Sequence, residues 1–274
     1  MLRIYNMKLD SYNYGFIGFG HMGEVIFQSM LKARLAPVSH IFFTRKDKKK
    51  KVETEHKYHI KGMHLSNMIK KCDVLFFCIK PQQVEGLFSE ISEDIDLSNK
   101  LFISIVAGTK IAYFKEKLGD VSVIRVMPNM PSSIGEGMNI FSWDKGTSLD
   151  HTHIAHSLFS CMGKVSVQPE SLMNTLTGIC GSGPGFVYPL IQALALLAKE
   201  EGVDYKEALE LVSQTFIGAA KLIQMGGDPD ELLYQIAPSG GTTAKGLDIM
   251  RELQVPTHFK KAVKGAIERA RELS

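Results

Sequence analysis

The fold of this chain is decided by one stretch, Tyr14–Gly23, which reads Tyr-Gly-Phe-Ile-Gly-Phe-Gly-His-Met-Gly. An apolar run ends in three glycines with the spacing Gly18-x-Gly20-x-x-Gly23, and a helical pattern follows. In dinucleotide-binding turns, the first glycine makes the turn from strand to helix, the second lets the backbone approach a pyrophosphate, and the third lets helix and strand pack closely. The phosphates then lie over unpaired N–H groups at the helix start. The stretch therefore predicts a nucleotide site formed by Gly18, Gly20, His21, Met22 and Gly23, and an ordinary glycine-rich turn is the alternative.

Length and composition limit the class of protein. The chain has 274 residues, enough for two domains, and 45% of them are hydrophobic and 22% charged, as in globular proteins. A net charge of +3 gives no indication of a nucleic-acid partner. The four cysteines form no C-x-x-C pair and indicate reduced thiols. There is no N-terminal leader and no run of the ~20 apolar residues that a membrane span needs, so we expect a cytoplasmic protein without a membrane partner.

Apolar runs that alternate with helical stretches predict an α/β fold with a mostly parallel sheet. In such a sheet the strands are covered on both faces and therefore read as nearly continuous apolar runs. The predicted strands, about eight in all, include Tyr14–Phe19, His40–Thr44, Asp73–Ile79, Leu101–Ala107, Val121–Met127, Ile134–Ser142 and Lys164–Val167. Residues 1–12, with the candidate start residues Met1 and Met7, are predicted to be a loose extension.

The residues after the second strand indicate which nicotinamide cofactor is preferred. An NAD-preferring site places Asp or Glu there, ~20 residues past the glycines, to bind the ribose 2′-hydroxyl. This chain has Thr44, Arg45 and Lys46 instead. A carboxylate repels a 2′-phosphate, whereas a guanidinium binds one bidentately. We therefore predict NADPH, with NADH as the alternative; the basic run Lys48–Lys51 belongs either to the site or to a solvated helix face.

Three further strand ends carry residues that suit a ligand site. The first ends in Lys80-Pro81, the second in Ala107-Gly108 and the third in Met127-Pro128-Asn129. Open α/β sheets bind ligands at the carboxyl ends of their strands. We therefore expect these residues to form one shared rim with the glycine turn.

The sequence changes character after Pro169, where strand patterns give way to helical ones. We predict a dinucleotide-binding, Rossmann-like domain over residues 1–168 and an all-helical domain over residues 169–274. The segment Leu190–Ala198 is apolar nearly all round, which indicates burial in the core or against a partner subunit. Asp204 and Asp228 are predicted to cap the helices that follow them.

Two glycine-rich segments interrupt the helical half, Gly181–Gly185 and Ser239–Thr243. Glycines followed by hydroxyl residues at a helix start expose N–H donors beside the positive end of the helix dipole. Such a loop suits a small carboxylate, and an ordinary cap with a flexible lead-in is the alternative.

Two other kinds of site are not predicted. The histidines of the segment His151–His156 have no cysteine or carboxylate at ligand spacing, so we predict a solvated helix face and no metal. The chain also has no G-x-S-x-G elbow of a serine hydrolase.

Taken together, these motifs resemble the pyrroline-5-carboxylate reductase family over nearly the whole chain, from about Tyr14 to Leu273. The segments that carry the resemblance are Gly18–Gly23, Lys80-Pro81, Arg125–Pro131, Gly181–Pro184 and Gly240–Thr243. Each of them alone occurs by chance, whereas their order and spacing as a set are specific.

The resemblance implies an oxidoreductase of proline biosynthesis, which transfers a hydride from NADPH or NADH to the C=N carbon of 1-pyrroline-5-carboxylate and gives L-proline. It implies a helical domain that forms either a homodimer or a homodecamer built as a pentamer of dimers. It also implies a site to which the dimer partner contributes. The glycine turn would hold the pyrophosphate and Arg45 the 2′-phosphate. The implied nicotinamide contacts are Lys80, Pro81, Ala107, Gly108, Met127, Pro128 and Asn129. The implied substrate contacts are Ser182, Gly183, Gly240, Gly241, Thr242 and Thr243, with Thr243 as the catalytic hydroxyl near the ring nitrogen.

The chain departs from the family pattern at Pro238-Ser239, where Ser-Pro is usual, and at Met130, where threonine is usual. These departures motivate a second hypothesis, a catalytically weakened family member that acts as a binding or regulatory protein. A third hypothesis is a β-hydroxyacid-type dehydrogenase or another imine reductase, a group with a catalytic lysine early in the helical domain. The segment Gly181–Leu197 contains no lysine, which counts against the third hypothesis.

Overall fold

The computed structural model describes residues 8–91 and 95–274, and it confirms the α/β fold. Within these residues, eight strands form one sheet. They are β1 (Tyr14–Ile17), β2 (Ile41–Thr44), β3 (Lys61–Gly62), β4 (Val74–Phe77), β5 (Leu101–Ser104), β6 (Ser122–Met127), β7 (Gly137–Trp143) and β8 (Gly163–Val167). Their order is β3-β2-β1-β4-β5-β6-β7-β8, and every neighbouring pair is parallel except β6 and β7. The short strand β3 was not predicted, because a strand of two residues is too short to show an alternation of apolar and polar side chains.

The central strands are buried on both faces, as their apolar runs predict. Every residue of β1, β4 and β5 is buried. On one face, Phe16 of β1 stacks on Phe76 of β4 with ring centroids 4.6 Å apart. On the other face, the rings of Phe77 and Phe114 lie 4.9 Å apart, in a separate buried cluster. The sheet is therefore a rigid platform for the loops at its carboxyl edge.

Helices connect these strands and cover the sheet. In the N-terminal part they are α1 (His21–Lys32), α2 (Lys48–Tyr58), α3 (Leu65–Lys71), α4 (Glu85–Phe88), α5 (Ile111–Leu118), α6 (Leu149–Ser160) and α7 (Met173–Leu176). The amphipathic α1 buries Val25, Ile26 and Met30 in the core beside β1. Helix α1 therefore leads directly from the glycine turn into the core, which fixes the turn in place.

The prediction of a loose extension over residues 1–12 is wrong for its described part. A 3-10 helix spans Leu9–Ser11, and the Leu9 side chain is buried in the core. The hydroxyl of Tyr14 donates to the carbonyl oxygen of Leu9 at 2.7 Å. One apolar side chain and one buried hydroxyl are thus enough to hold this segment. Residues 1–7, including Met1 and Met7, lie outside the described residues.

The C-terminal part is helical, as predicted. Its helices are α8 (Gly183–Glu200), α9 (Tyr205–Gln224), α10 (Pro229–Ile236), α11 (Thr242–Glu252) and α12 (Val255–Glu272). The predicted caps are present, since the carboxylate of Asp204 accepts N–H bonds at the start of α9 and that of Asp228 does so at the start of α10. Helix α8 continues through Pro189.

The chain forms two compact units. Of the described residues, those up to Gly181 and those from Ile267 to Ser274 form one unit, and those from Ser182 to Ala266 form the other. The end of α12 therefore groups with the sheet, which local patterns in the sequence do not reveal. The division into domains at residues 168 and 169 stays a prediction.

The interpretation of α8 as a core helix is wrong. Ala195 is its one buried residue within this chain, whereas the side chains of Tyr188, Leu194 and Leu197 are about half exposed. By length and composition, Glu170–Glu200 would also suffice to cross a membrane, with a mean hydropathy of 1.3. The exposure of α8 therefore excludes the core of this chain, and its cover by a partner subunit stays a prediction.

Candidate functional site

The three glycines of the turn between β1 and α1 are required for different reasons. Gly18 has a φ of +80°, and a Cβ atom there would lie 2.8 Å from the carbonyl oxygen of Cys78. A Cβ atom on Gly23 would lie 3.2 Å from Cβ of Cys78, so α1 packs closely on the end of β4. At Gly20 an added Cβ would meet nothing within 4 Å. The protein's own packing therefore does not require a glycine at position 20. Close approach of the protein backbone to the pyrophosphate of a ligand would require one.

The start of α1 offers N–H donors to such a ligand. Gly20 is the N-cap residue and has no side chain to cap the helix. The first helical bond runs from the N–H of Glu24 to the carbonyl oxygen of Gly20, at 2.9 Å. The N–H groups of His21, Met22 and Gly23 therefore have no partner within the helix and lie at its positive end. This is an anion-binding arrangement.

A cleft of about 690 Å³ lies over this turn. Among the predicted site residues, the cleft is lined by Gly18, Gly20, His21, Met22, Gly23, Thr44, Arg45, Lys46, Lys80, Pro81 and Ala107. The ends of β1, β2, β4 and β5 thus meet at one edge, as predicted, and a size of several hundred cubic ångströms suits an organic cofactor.

Arg45 enters the cleft after β2 and is held by α2. Its Nη1 donates to Oγ1 of Thr54 at 3.2 Å, and the Thr54 side chain is buried. The Thr54 hydroxyl donates in turn to the carbonyl oxygen of Lys50 at 2.7 Å. The guanidinium is therefore oriented by a neutral partner, and its charge also acts on the nearby carboxylate of Asp47.

Two carboxylates that the sequence analysis did not consider also line this end of the cleft. Asp47 is the N-cap residue of α2, and the bond that it accepts from the N–H of Lys50, at 3.0 Å, lowers the pKa of its carboxyl. Glu90 follows α4, and its Oε1 lies 2.9 Å from Nζ of Lys46. Asp47 was adjacent to the predicted basic residues in the sequence. No local signal pointed to Glu90, which the fold brings to the cleft.

Cys78 and Ile79 also line the cleft and were missed, although they directly follow β4 and precede the predicted Lys80. Burial raises the pKa of the Cys78 thiol well above its ordinary range, so this thiol stays neutral. Its contribution to the cleft is shape and packing against Gly18 and Gly23.

Four predicted rim residues lie elsewhere than on the lining of this cleft: Gly108, Met127, Pro128 and Asn129. The amide of Asn129 is used within the protein, because its Nδ2 donates to the carbonyl oxygen of Cys180 at 3.1 Å and its Oδ1 accepts from the N–H of Met138 at 3.0 Å. Gly108 has a φ of +77° and is covered by the main chain of Leu273 and Ser274. Their assignment to the nicotinamide end stays a prediction.

A further contact joins the glycine turn to the segment after β6. Nε2 of His21 lies 3.2 Å from Sδ of Met130, and both residues are exposed. The methionine that departs from the family pattern thus packs against the first residue of α1.

In the second unit, the loop before α11 is a tight turn. The N–H of Gly241 donates to the carbonyl oxygen of Pro238 at 3.0 Å, and Gly240 has a φ of +77°. Ser239 has no positive φ, so the turn over residues 238–241 is of type II. Gly241 is the N-cap residue of α11 and provides no side-chain cap, which leaves N–H groups of the first turn, with Thr242 and Thr243, open to a ligand.

The other predicted substrate residues lie at the start of α8. Ser182 is its N-cap residue without a side-chain cap bond, and Gly183 is its first residue. The carbonyl oxygen of Ser182 accepts from the N–H of Gly185 at 2.9 Å. The hydroxyl of Ser182 is therefore not used to cap its own helix.

Among the described residues, no three His, Cys, Asp or Glu side chains are grouped so that they could hold a metal ion. His151 is half-buried, with no hydrogen-bond partner for its Nδ1, and burial lowers the pKa of its imidazole. His151 lies on α6, but its half-buried side chain is not on the solvated helix face that the sequence analysis predicted.

The comparisons with known proteins show the family and the fold. A family model described as NADP oxidoreductase, coenzyme F420-dependent, matches residues 13–108, and one described as pyrroline-5-carboxylate reductase dimerisation matches residues 170–273. The pyrroline-5-carboxylate reductase of Methanosarcina acetivorans is 33% identical over 97% of this chain and 99% of its own length. The enzyme of that name from Arabidopsis thaliana is 30% identical over 100% and 99%. The crystal structure of Plasmodium falciparum pyrroline carboxylate reductase with NADP bound superimposes with a TM-score of 0.86 at 25% identity, covering 96% of this chain and 98% of that one.

Proposed function

The chain belongs to the pyrroline-5-carboxylate reductase family, and from this membership we propose that it reduces 1-pyrroline-5-carboxylate to L-proline with NADPH. It is an oxidoreductase of proline biosynthesis. The observation that carries the proposal is the open glycine turn, where Gly20 leaves room that no protein atom fills and the start of α1 presents unpaired N–H groups.

The residues of the cleft fit a phosphorylated dinucleotide. The N–H groups of His21, Met22 and Gly23 would hold the pyrophosphate, and Arg45 with Lys46 would hold the 2′-phosphate. NADH, which lacks this phosphate, is the weaker cofactor in this proposal. Lys80, Pro81 and Ala107 would line the nicotinamide end of the same cleft.

When bound, NADPH supplies a hydride to the carbon of the C=N bond. The chain's own contribution is to bind and orient. We propose that the N–H groups at the start of α11, after Gly240 and Gly241, hold the substrate carboxylate, and that the Thr243 hydroxyl lies near the ring nitrogen. Ser182 and Gly183 would complete the substrate contacts. A protonated imine is already electrophilic, so no strong acid from the protein is required.

The protein is proposed to act as a homo-oligomer. Support comes from the match of residues 170–273 to a dimerisation model and from the exposed apolar side chains of α8. A second copy that covers α8 would remove this surface from water without a membrane. The finer proposals are a dimer, a pentamer of such dimers, and a cytoplasmic location in keeping with four free cysteines.

The test is a rate measurement on the purified full chain with 1-pyrroline-5-carboxylate and either NADPH or NADH. We expect oxidation of NADPH that depends on the substrate, with L-proline as the product. Folded protein that binds NADPH but consumes none with this substrate would instead support the weakened binding or regulatory protein. Turnover of other imines or hydroxyacids in its place would support the third hypothesis.

A further inference from the structure

An ion pair joins two segments that line the cofactor cleft. Lys46 belongs to the segment after β2 and Glu90 to the segment after α4. Nζ of Lys46 lies 2.9 Å from Oε1 of Glu90, and both residues line the cleft. Lys46 directly follows Arg45, the residue proposed to bind the 2′-phosphate.

Arg45 and Lys46 have partners of different kinds. Arg45 donates to the neutral hydroxyl of Thr54 and also interacts electrostatically with the nearby carboxylate of Asp47. Lys46 is held by a carboxylate, and its side chain is 71% exposed while that of Glu90 is 40% exposed. An ammonium group carries three N–H donors and can turn freely, so Lys46 can exchange its carboxylate for another anion.

A 2′-phosphate that reaches Arg45 and Lys46 meets this carboxylate as a like charge. Phosphate must either displace Glu90 from Lys46 or share the ammonium with it. A cofactor without the 2′-phosphate has no anionic group at this position, so its binding neither displaces Glu90 nor places two anions beside Lys46.

We propose that Glu90 is a specificity-determining residue that weakens NADPH binding relative to NADH, because it competes with the 2′-phosphate for Lys46. This inference rests on the proposed assignment of the cleft to NADPH. Glu90 makes the cofactor preference smaller than Arg45 and Lys46 alone would make it.

The test measures binding of two cofactor fragments, adenosine 2′,5′-bisphosphate and adenosine 5′-monophosphate, by calorimetry on the full chain at low salt. Glu90→Gln should tighten binding of the bisphosphate about two- to five-fold, the range of an exposed ion pair. Binding of the monophosphate should not change. The gain should shrink as salt is added, because exposed charges are screened.

Two further variants separate this effect from a general change of charge. Glu85→Gln on α4 removes the same charge from an exposed residue that does not line the cleft, and it should leave both affinities unchanged. In a Lys46→Gln background, Glu90→Gln should no longer tighten the bisphosphate, as a double-mutant cycle requires.

Unchanged or weaker binding of the bisphosphate by Glu90→Gln would overturn the inference, and weaker binding would show that Glu90 positions Lys46 for the phosphate. Equal tightening of both fragments would overturn it too. These outcomes differ from failure of the proposed function, in which the wild-type chain binds neither fragment or binds both but does not reduce the substrate.

Discussion

Nη1 of Arg45 lies 3.2 Å from Oγ1 of Thr54, so a side chain that enters the cofactor cleft after β2 is held by a buried hydroxyl of α2. A guanidinium has five N–H donors in a fixed fork, and one bond to Thr54 leaves the rest for a phosphate. If Arg45 binds the 2′-phosphate as proposed, Thr54 acts on the cofactor through Arg45 and is a positioning residue.

Replacing either Arg45 or Thr54 should weaken the binding of NADPH and leave the binding of NADH unchanged. The effect should be larger for Arg45. We expect Arg45→Ala to raise the KM for NADPH about tenfold or more, since it deletes bonds to a charged group. Thr54→Val should raise it about five-fold, the value of one ordinary hydrogen bond. Steady-state kinetics with each cofactor at saturating substrate measures both effects.

Thr215→Val serves as the control for the threonine change, because Thr215 of α9 is exposed and its hydroxyl bonds back to the carbonyl oxygen of Leu211. It should alter neither KM. If Thr54→Val raised the KM for NADH as much as that for NADPH, its effect would be on α2 as a whole rather than on Arg45.

Gly20 offers a test of the glycine turn that does not disturb the fold. The added methyl group of Gly20→Ala meets no protein atom within 4 Å, and the φ of −84° suits alanine. We expect an unchanged melting temperature together with a loss of affinity for both cofactors of about tenfold or more, because the pyrophosphate can no longer approach the turn. Fluorescence titration with NADPH and NADH measures the affinities.

Gly185→Ala in α8 is the matched control, since an added Cβ there also meets nothing within 4 Å. It should leave cofactor binding unchanged. Full cofactor affinity in Gly20→Ala would show that no pyrophosphate lies against this turn.

In the turn before α11, Pro238 lies one position before the place that proline favours in a type II turn. In a type II turn proline is favoured at the second position, where this chain has Ser239, whereas Pro238 occupies the first. Ser239→Pro should therefore fix the turn in its present conformation and lower the KM for 1-pyrroline-5-carboxylate about two- to five-fold by reducing the ordering cost of the loop.

Ser239→Ala is the control, because it removes the hydroxyl without fixing φ. A lowered KM in both variants would trace the effect to the hydroxyl instead. An unchanged or raised KM in a folded Ser239→Pro protein would mean that this turn does not hold the substrate.

Acid should remove a stabilising contribution of Asp144. Burial alone would raise the pKa of this carboxyl, but the bonds from Lys115, at 2.6 Å, and from Thr147, at 3.1 Å, lower it overall. Because the pKa is lower in the folded state, the contribution is present above the ordinary aspartate range and is lost as the pH falls through the lowered value.

Asp144→Asn should thus lower the melting temperature by about 1–3 °C at neutral pH, a modest effect since the pair is partly exposed. The difference from wild type should close in acid, where both side chains are neutral. Asp10→Asn, an exposed residue, controls for net charge. A difference that persists unchanged in acid would show that the effect does not come from the charge of Asp144.

Local patterns in the sequence were enough for most elements of the fold and for much of the cleft. The glycine spacing placed the turn, because conformation constrains Gly18 and close packing constrains Gly18 and Gly23 directly. The apolar runs predicted the central strands, since burial on both faces leaves no polar position in them.

What the sequence did not reveal depends on which segments the fold brings together. Glu90 reaches the cleft from the segment after the short helix α4, which carries no recognisable motif, and the amide of Asn129 donates to the carbonyl oxygen of Cys180, a residue far along the chain. Leu9 is buried although its neighbours are polar. The apolar side chains of α8 are exposed within one chain. Hydrophobicity alone does not tell whether such a helix is buried in its own core or against a partner.

The proposed reaction is tested most directly by following the hydride itself. The purified chain would be incubated with 1-pyrroline-5-carboxylate and NADPH that carries deuterium at its transferable position, and the proline formed would be analysed by mass spectrometry and NMR. We predict L-proline with a single deuterium at the former C=N carbon. Proline without deuterium at that carbon, or oxidation of NADPH without formation of proline, would contradict the assignment of this chain as a pyrroline-5-carboxylate reductase.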